Sequence, residues 1–90
     1  MSDAPTQRLD RWIWHARFAK TRAVAQGMIS KGRIRVNKTK VTKPGYPVGP
    51  GDVLTISRSG WVDVVTIEDV AEKRGSATVA ATLYTKEESG

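Results

Sequence analysis

Cysteine is absent from this sequence, histidine occurs once, and no long apolar run is present. The absence of cysteine excludes disulfide bonds, thiol catalysis and cysteine-based metal sites. His15 alone cannot form a histidine metal cluster, and no run approaches the roughly 20 apolar residues that cross a bilayer. Residues 1–5 have neither the basic start nor the apolar centre of a secretory signal, so we expect a cytoplasmic protein without a membrane partner.

Acidic residues are scarce in the first half of the chain, where the charge is strongly positive. Residues 1–45 carry eleven of the fifteen lysines and arginines but only two acids, Asp3 and Asp10, for a net charge of +9. Residues 46–90 carry a net charge of −3. This asymmetry predicts one face that binds a polyanion by neutralising its phosphates.

The length and composition predict one small folded domain. Ninety residues, with 39% apolar and 27% charged side chains, are typical of a globular rather than a disordered chain. Such a length leaves no space for a large catalytic domain beside a binding module. We therefore expect a protein that is not an enzyme, needs no cofactor and takes no small-molecule substrate.

Apolar residues at helical spacing predict two helices in the basic half. The first helix covers residues 8–18 and has an apolar stripe formed by Leu9, Trp12, Ile13 and Ala16. Thr21 is the predicted N-cap of the second helix, which ends at Gly32. Its predicted buried positions are Val24, Ala25, Met28 and Ile29. Gly27 inside this helix costs up to about 1 kcal/mol relative to alanine, which close packing against a neighbour would explain.

The apolar period changes from 3.6 to 2 after the second helix. Ile34 and Val36 alternate with polar residues, which predicts a half-buried strand over residues 33–37 with a cationic outer face. Residues 37–40 form the predicted turn, and Val41 opens a short return strand. Proline and glycine then mark residues 43–52 as a structured surface loop.

The second half of the chain predicts a hairpin and a short helix. The hairpin strands cover residues 53–57 and 61–67, and the helix covers residues 76–86. The helix residues predicted to face inward are Val79, Ala80 and Leu83, and residues 87–90 are expected to fray. Trp14 and Phe18 lie away from the apolar stripe of the first helix. We expect either that the C-terminal segment covers them or that they stack on a partner.

Two ionisable residues of the first helix are expected to be structural rather than catalytic. His15, without a second histidine or a cysteine nearby, is expected at the surface or in a hydrogen bond. Asp10 falls in the first helical turn, where a carboxylate pairs with the helix dipole or with a neighbouring arginine.

Cationic residues continue from the helices onto the strand and the turn that follow. Residues 19–22 place two cations at a helix N-terminus, whose free backbone N–H groups favour an anion. Arg33 and Arg35 extend the charge along the strand, and lysines of the turn and loop continue it at Lys38, Lys40 and Lys43. Arginine forks and lysine point charges together suit phosphate recognition.

Several short motifs occur in order over residues 8–56. They are Arg8-Leu9-Asp10, Lys20-Thr21-Arg22, Lys31-Gly32-Arg33-Ile34-Arg35-Val36-Asn37 and Gly51-Asp52. In this order they resemble the RNA-binding domain family named after ribosomal small-subunit protein four. The resemblance implies an α+β fold in which two antiparallel helices pack on a small, bent antiparallel sheet, followed by a C-terminal hairpin and a short helix. Many members have glycine where this chain has Lys38.

The resemblance also implies the organisation and the binding residues. It predicts a flexible tail over residues 1–7, an RNA-binding domain over residues 8–57, and a C-terminal hairpin with a short helix over residues 58–90 that pack on the same domain. The candidate RNA-binding residues, from the resemblance and from the charge pattern together, are Arg8, Arg11, Lys20, Thr21, Arg22, Gln26, Lys31, Arg33, Arg35, Asn37, Lys38, Lys40 and Lys43.

A longer resemblance covers most of the chain. Trp12-Ile13-Trp14, Arg17-Phe18, Arg74-Gly75 and Leu83-Tyr84 are similar to motifs of the ribosome-associated heat-shock protein fifteen subgroup. That similarity implies a stress-related protein that docks on ribosomal RNA of free large subunits. These subunits carry a nascent chain on its transfer RNA, and the protein helps to recycle them. Direct contact with the transfer RNA stays open, and a monomer is expected.

Two other functions fit parts of the sequence. This kind of RNA-binding domain often precedes pseudouridine synthases, so the chain could be the RNA-targeting subunit of an RNA-modifying enzyme that has a partner chain. Two short helices joined by a few residues also resemble a helix-turn-helix DNA-binding protein. The charge that continues beyond the second helix, onto the strand and turn, favours RNA over a groove-reading helix.

Overall fold

The computed structural model describes residues 5–87, and their order of elements is mixed α and β. In chain order these are β1 (Gln7–Arg8), α1 (Leu9–His15), α2 (Arg22–Ser30), β2 (Ile34–Val36), β3 (Thr39–Lys40), β4 (Pro47–Val48), β5 (Val53–Arg58), β6 (Trp61–Ile67), α3 (Ala77–Ala80), a 3₁₀ turn (Ala81–Leu83) and β7 (Tyr84–Lys86). Five strands form an antiparallel sheet in the order β3-β2-β5-β6-β7, and β1 pairs with β4 in a separate ribbon. This architecture confirms the predicted α+β class. No helix within residues 5–87 has the length and apolar character needed to cross a membrane.

The apolar stripe of α1 lies in the core, as its spacing predicted. Leu9, Trp12, Ile13 and Ala16 are all buried. They pack with Ala25 and Ile29 of α2 and with alternating residues of the sheet, among them Ile34, Leu54, Ile56 and Val65. Alternation in β2 and β5 places these side chains on one face, so both helices share one core with the sheet.

Helix α1 ends three residues earlier than its periodicity predicted. Arg17 adopts a left-handed φ of 66°, and the N–H groups of Arg17 and Phe18 donate to the carbonyls of Trp14 and Ile13 at 3.1 and 3.0 Å. This bond pair is a Schellman motif with arginine, instead of glycine, in the left-handed position. The motif directs the chain so that the Phe18 ring lies 4.9 Å from that of Tyr84, which confirms that the C-terminal segment covers Phe18.

Helix α2 begins and ends as its capping residues predicted. The Thr21 hydroxyl accepts a hydrogen bond from the Val24 N–H at 3.1 Å, and Gly32 takes a φ of 76° just after the helix. The predicted burial of Val24 is wrong, because this side chain is 49% exposed. The turn between β2 and β3 is type I′, since Asn37 and Lys38 both have positive φ.

The chain ends differ from the predicted pattern. Gln7, which the sequence placed in a loose tail, pairs with Val48 in the β1–β4 ribbon. The return strand, predicted to open at Val41, is β3 at residues 39–40. The helix predicted over residues 76–86 ends at Ala80, and the 3₁₀ turn and β7, which pairs with β6, follow it. Ala80 and Leu83 are buried as predicted, but Val79 is exposed. The predicted fraying over residues 87–90 is wrong at Glu87, whose backbone N–H donates to the Val64 carbonyl at 2.8 Å. Residues 88–90, and residues 1–4 of the predicted tail, lie outside the described residues.

Candidate RNA interface

The predicted RNA-binding residues separate into groups, of which the first surrounds Asp10. The carboxylate of Asp10 is fully buried and accepts hydrogen bonds from Arg8 (3.1 and 3.2 Å), Arg22 (3.3 Å), Gln26 (3.0 Å) and the Arg11 backbone N–H (2.8 Å). Arg8 comes from β1, while Arg22 and Gln26 are one turn apart on α2. We call Asp10, Arg8, Arg22 and Gln26 the Asp10 cluster.

Asp10 is charged and fully hydrogen-bonded, which gives it a structural role. Burial raises the pKa of this carboxyl, but the hydrogen bonds from Arg8, Gln26, the Arg11 backbone and Arg22 outweigh burial and lower the pKa to about 2. The cluster joins β1, α1 and α2. The side chains of Arg8 and Arg22 stay 50% and 42% exposed, so their outer edges still reach solvent.

A second group of cations lines a groove of about 770 Å³ between the α1–α2 connection, one side of α2 and the β5–β6 turn. Six cationic side chains line it, namely Arg17, Lys20, Lys31, Arg33, Arg58 and Arg74, and no acid is among the residues that line it within the described chain. We call this feature the cationic groove. It brings together residues from four separate parts of the sequence.

The floor of the cationic groove is apolar. It is formed by Phe18, Ala19, Val24, Gly27 and Met28, which explains why Val24 is exposed although it lies on an apolar stretch of α2. A Cβ atom built on Gly27 would meet nothing within 4 Å. Close packing within the chain therefore does not explain this helical glycine, and the explanation offered by the sequence is wrong.

The three arginines that sequence reasoning missed are held in place by backbone or charged partners. Arg17 donates to the Gly75 carbonyl at 3.2 and 3.0 Å, and Arg74 donates to the Trp14 carbonyl at 3.1 Å. Arg58 pairs with Asp63 at 2.7 Å. The sequence indicates Arg74 and Gly75 only as part of a motif shared with the heat-shock protein fifteen subgroup. Nothing local in the sequence shows that the 74–75 segment packs beside α1.

The remaining predicted residues lie outside both groups. Arg35, Lys38, Lys40 and Lys43 are exposed on the outer strand, the turn and the loop, with Arg35 donating to the Lys38 carbonyl at 3.3 Å. The Asn37 amide donates to Asp52 and accepts from the Val53 N–H, both at 3.0 Å, and so fixes the turn to β5. Arg11 donates to the Glu72 carbonyl at 3.1 Å. Thr21 caps α2, as described above.

His15 differs from its prediction. The ring is buried against Trp14 and does not lie at the surface. Burial lowers the pKa of this imidazole, so the ring is neutral at pH 7. Residues 5–87 also contain no group of three histidine, cysteine, aspartate or glutamate side chains that could hold a metal ion.

Comparison with known proteins finds a matching family model and sequence relatives of the same kind. The S4 domain family model matches residues 7–54. Heat shock protein 15 of Escherichia coli K12 is 39% identical over 77 residues, which are 86% of this chain and 57% of that protein. Small ribosomal subunit protein uS4 of Kosmotoga olearia is 34% identical over 71 residues, which are 79% of this chain and 34% of that protein.

A solved structure supports the same relationship. The trimeric structure of Vibrio cholerae heat shock protein 15 has a TM-score of 0.86 and 32% sequence identity to this chain, covering 92% of this chain and 83% of that one. The chain spans 57% of the length of the Escherichia coli relative. The chain therefore belongs to the S4 domain family, near its heat shock protein 15 subgroup.

Proposed function

We propose that this chain is a non-catalytic RNA-binding protein that docks on ribosomal RNA through the cationic groove. The observation that carries the proposal is the collection of six cations around one groove without an acid among its described lining residues. RNA phosphates that release their counterions would neutralise these cations. Membership of the S4 domain family supports the same conclusion.

The groove suits a folded RNA strand in two ways. Arg17, Arg58 and Arg74 are already fixed by the protein, so they lose little side-chain freedom when a phosphate binds. Lys20, Lys31 and Arg33 make no ion pair within residues 5–87 and can adjust to the phosphate spacing. The apolar floor provides a surface for ribose and base edges, which structured RNA presents beside its phosphates.

The proposed target is the free large ribosomal subunit that carries a nascent chain on its transfer RNA, and the proposed role is to aid its recycling in the cytoplasm. Similarity to heat shock protein 15 supports this choice. A monomer is sufficient, because one chain supplies every cation of the groove. The Vibrio cholerae relative is described as trimeric, so sedimentation of this chain alone tests the monomer.

Ribosome-gradient fractionation tests the target. We expect the wild-type chain to co-sediment with free large subunits, and the variant Lys20→Ala/Lys31→Ala to move to the top of the gradient. The matched control Lys43→Ala/Lys73→Ala removes the same charge from exposed positions outside the groove. Lys43 was a candidate contact from the sequence, but it is not part of the groove, so this variant is expected to stay bound if the groove is the interface. Co-sedimentation with small subunits, or equal loss in both variants, would contradict the proposal.

The two other functions predict different results with the isolated chain. A DNA-binding protein would prefer duplex DNA to ribosomal RNA at the same salt concentration, whereas we expect the reverse order. A subunit of an RNA-modifying enzyme would co-purify with a catalytic chain and yield modified RNA in a pseudouridylation assay. We expect binding without modification.

A further inference from the structure

The tip of the β5–β6 hairpin carries an exposed tryptophan that the cationic groove does not include. Trp61 is 58% exposed, whereas Trp12 is fully buried in the core and Trp14 is partly covered by Arg74. A large aromatic side chain is costly to leave in water. An exposed Trp61 is therefore a candidate contact for a bound ligand.

The Trp61 ring is held in one orientation. Its Nε1–H donates to Asp63 at 3.3 Å, and the Arg58 guanidinium lies 5.4 Å from the ring centroid. Asp63 is itself buried and is held by Arg58 at 2.7 Å and by Lys86 at 3.0 Å. Because these contacts fix the indole before any ligand arrives, a partner that stacks on it need not order it.

Trp61 continues a row of planar groups that begins in the groove. Arg58 is the cross-strand partner of Trp61, and its guanidinium also lies 5.6 Å from the ring centroid of Phe18 on the groove floor. The row Phe18–Arg58–Trp61 therefore leads from the groove to the hairpin tip. The adjacent Val62 is equally exposed, at 57%, but alternation along β6 places it on the opposite face of the hairpin.

We propose that Trp61 is a nucleobase-stacking site, where an unpaired base next to the RNA strand in the cationic groove stacks on the exposed indole. This inference rests on the proposed function and names its ligand class: structured RNA with at least one unpaired nucleotide beside a helix. Every base has a π-face, and aromatic side chains next to cationic grooves are the usual stacking platforms for unpaired bases. The neighbouring cations favour a nucleic acid over an uncharged apolar partner.

The experiment compares two RNA probes, a fully paired duplex and the same duplex with one bulged adenosine. Wild-type protein is expected to bind the bulged duplex more tightly. The variant Trp61→Ala should weaken binding of the bulged duplex about tenfold and leave the paired duplex unchanged. Trp61→Phe should keep most of the preference, and Val62→Ala, equally exposed on the other face, serves as the control. Circular dichroism melting of each variant checks the fold.

Each outcome decides one question. If wild-type protein binds neither RNA, the proposed function fails, and this inference fails with it. If it binds both RNAs and Trp61→Ala changes neither, or weakens both equally, the stacking site is overturned while RNA binding stands. If Trp61→Ala leaves the RNA preference intact but changes the sedimentation coefficient of the free protein, Trp61 lies in an interface between copies, and the stacking site is likewise overturned.

Discussion

The cations of the Asp10 cluster and those of the cationic groove have the same charge but different surroundings. In the cluster, Arg8 and Arg22 converge on one buried carboxylate. In the groove, Lys20, Lys31 and Arg33 line the same depression as the apolar floor, with no acid among the described lining residues. The first arrangement satisfies charge within the protein, and the second leaves charge for a ligand to neutralise.

This difference teaches that a basic sequence is not uniformly a binding surface. The resemblance and the charge pattern placed Arg8, Arg22 and Gln26 among the candidate RNA contacts, yet each of them donates to Asp10. Substitutions in the two regions should therefore separate stability from affinity.

The largest stability effect is expected in the Asp10 cluster. Asp10→Asn removes the charge that Arg8 and Arg22 share and turns two acceptor oxygens into one acceptor and one donor. We expect a loss of about 1–3 kcal/mol in unfolding free energy, which is less than the roughly 3–5 kcal/mol lost when a fully buried pair is broken, because both arginines are half exposed. Urea unfolding measures it. An unchanged midpoint would show that the cluster does not stabilise the fold.

The same cluster predicts a pH dependence. The pKa of Asp10 is lowered from 3.8 in the unfolded chain to about 2 in the folded protein. The contribution of Asp10 to the unfolding free energy is therefore complete above about pH 5 and is lost as the pH falls from about 5 to below about 2. The unfolding free energy of Asp10→Asn should fall less than that of the wild type when the pH is lowered. Some loss remains, because the pKa of Asp63 is also lowered: its burial is outweighed by hydrogen bonds from Lys86 and Arg58. Parallel acid-unfolding curves for the two proteins would contradict this assignment.

The largest affinity effect is expected in the groove. Arg33→Ala should weaken RNA binding by about 1–3 kcal/mol, the scale of a charge-assisted contact, and leave melting unchanged because Arg33 makes no ion pair within residues 5–87. Arg22→Ala should instead lower stability by about 1 kcal/mol, through Asp10, and affect RNA less. Filter binding and thermal melting of both variants measure the contrast. Equal affinity losses would remove the distinction between the two regions.

A smaller effect with opposite signs is expected at Gly27. Gly27→Ala should raise unfolding free energy by up to about 1 kcal/mol, because alanine favours the helix and its Cβ meets no protein atom. It should also weaken RNA binding, because the added methyl group projects into the groove that the strand occupies. Ser30→Ala, on the same helix but outside the groove, should leave affinity unchanged. Stabilisation without any loss of affinity would show that RNA does not approach this part of α2.

The sequence predicted the elements whose signals are local. Thr21 and Gly32 bound α2 because capping depends on neighbouring backbone groups, and β6 covers the predicted residues 61–67 because its apolar residues mark a strand between two turns. Helix α1 was predicted too long, since periodicity alone does not show that Arg17 accepts a left-handed conformation. The C-terminal helix was overextended because pairing of β7 with β6 overrides local preference.

Half of the groove was predictable and half was not. Lys20, Lys31 and Arg33 were found from charge and from resemblance, and the fold brings them together. The other three cations were not predicted as contacts: Arg17 was noted only as part of a motif, and Arg58 and Arg74 come from the acidic half of the chain, where net charge points away from RNA. Only the tertiary contacts of Arg58 with Asp63 and of Arg74 with Trp14 place them at the groove.

The salt dependence of RNA affinity tests the central claim most directly. Large-subunit ribosomal RNA would be titrated with wild type, with the groove variant Lys20→Ala/Lys31→Ala, and with the control Lys43→Ala/Lys73→Ala, which has the same net charge. If the groove neutralises phosphates, the plot of log affinity against log salt should become shallower by about 1.4–1.8 in the groove variant, since each released counterion contributes about 0.7–0.9. The control should keep the wild-type slope. Equal slopes for the two variants would contradict the groove as the RNA interface.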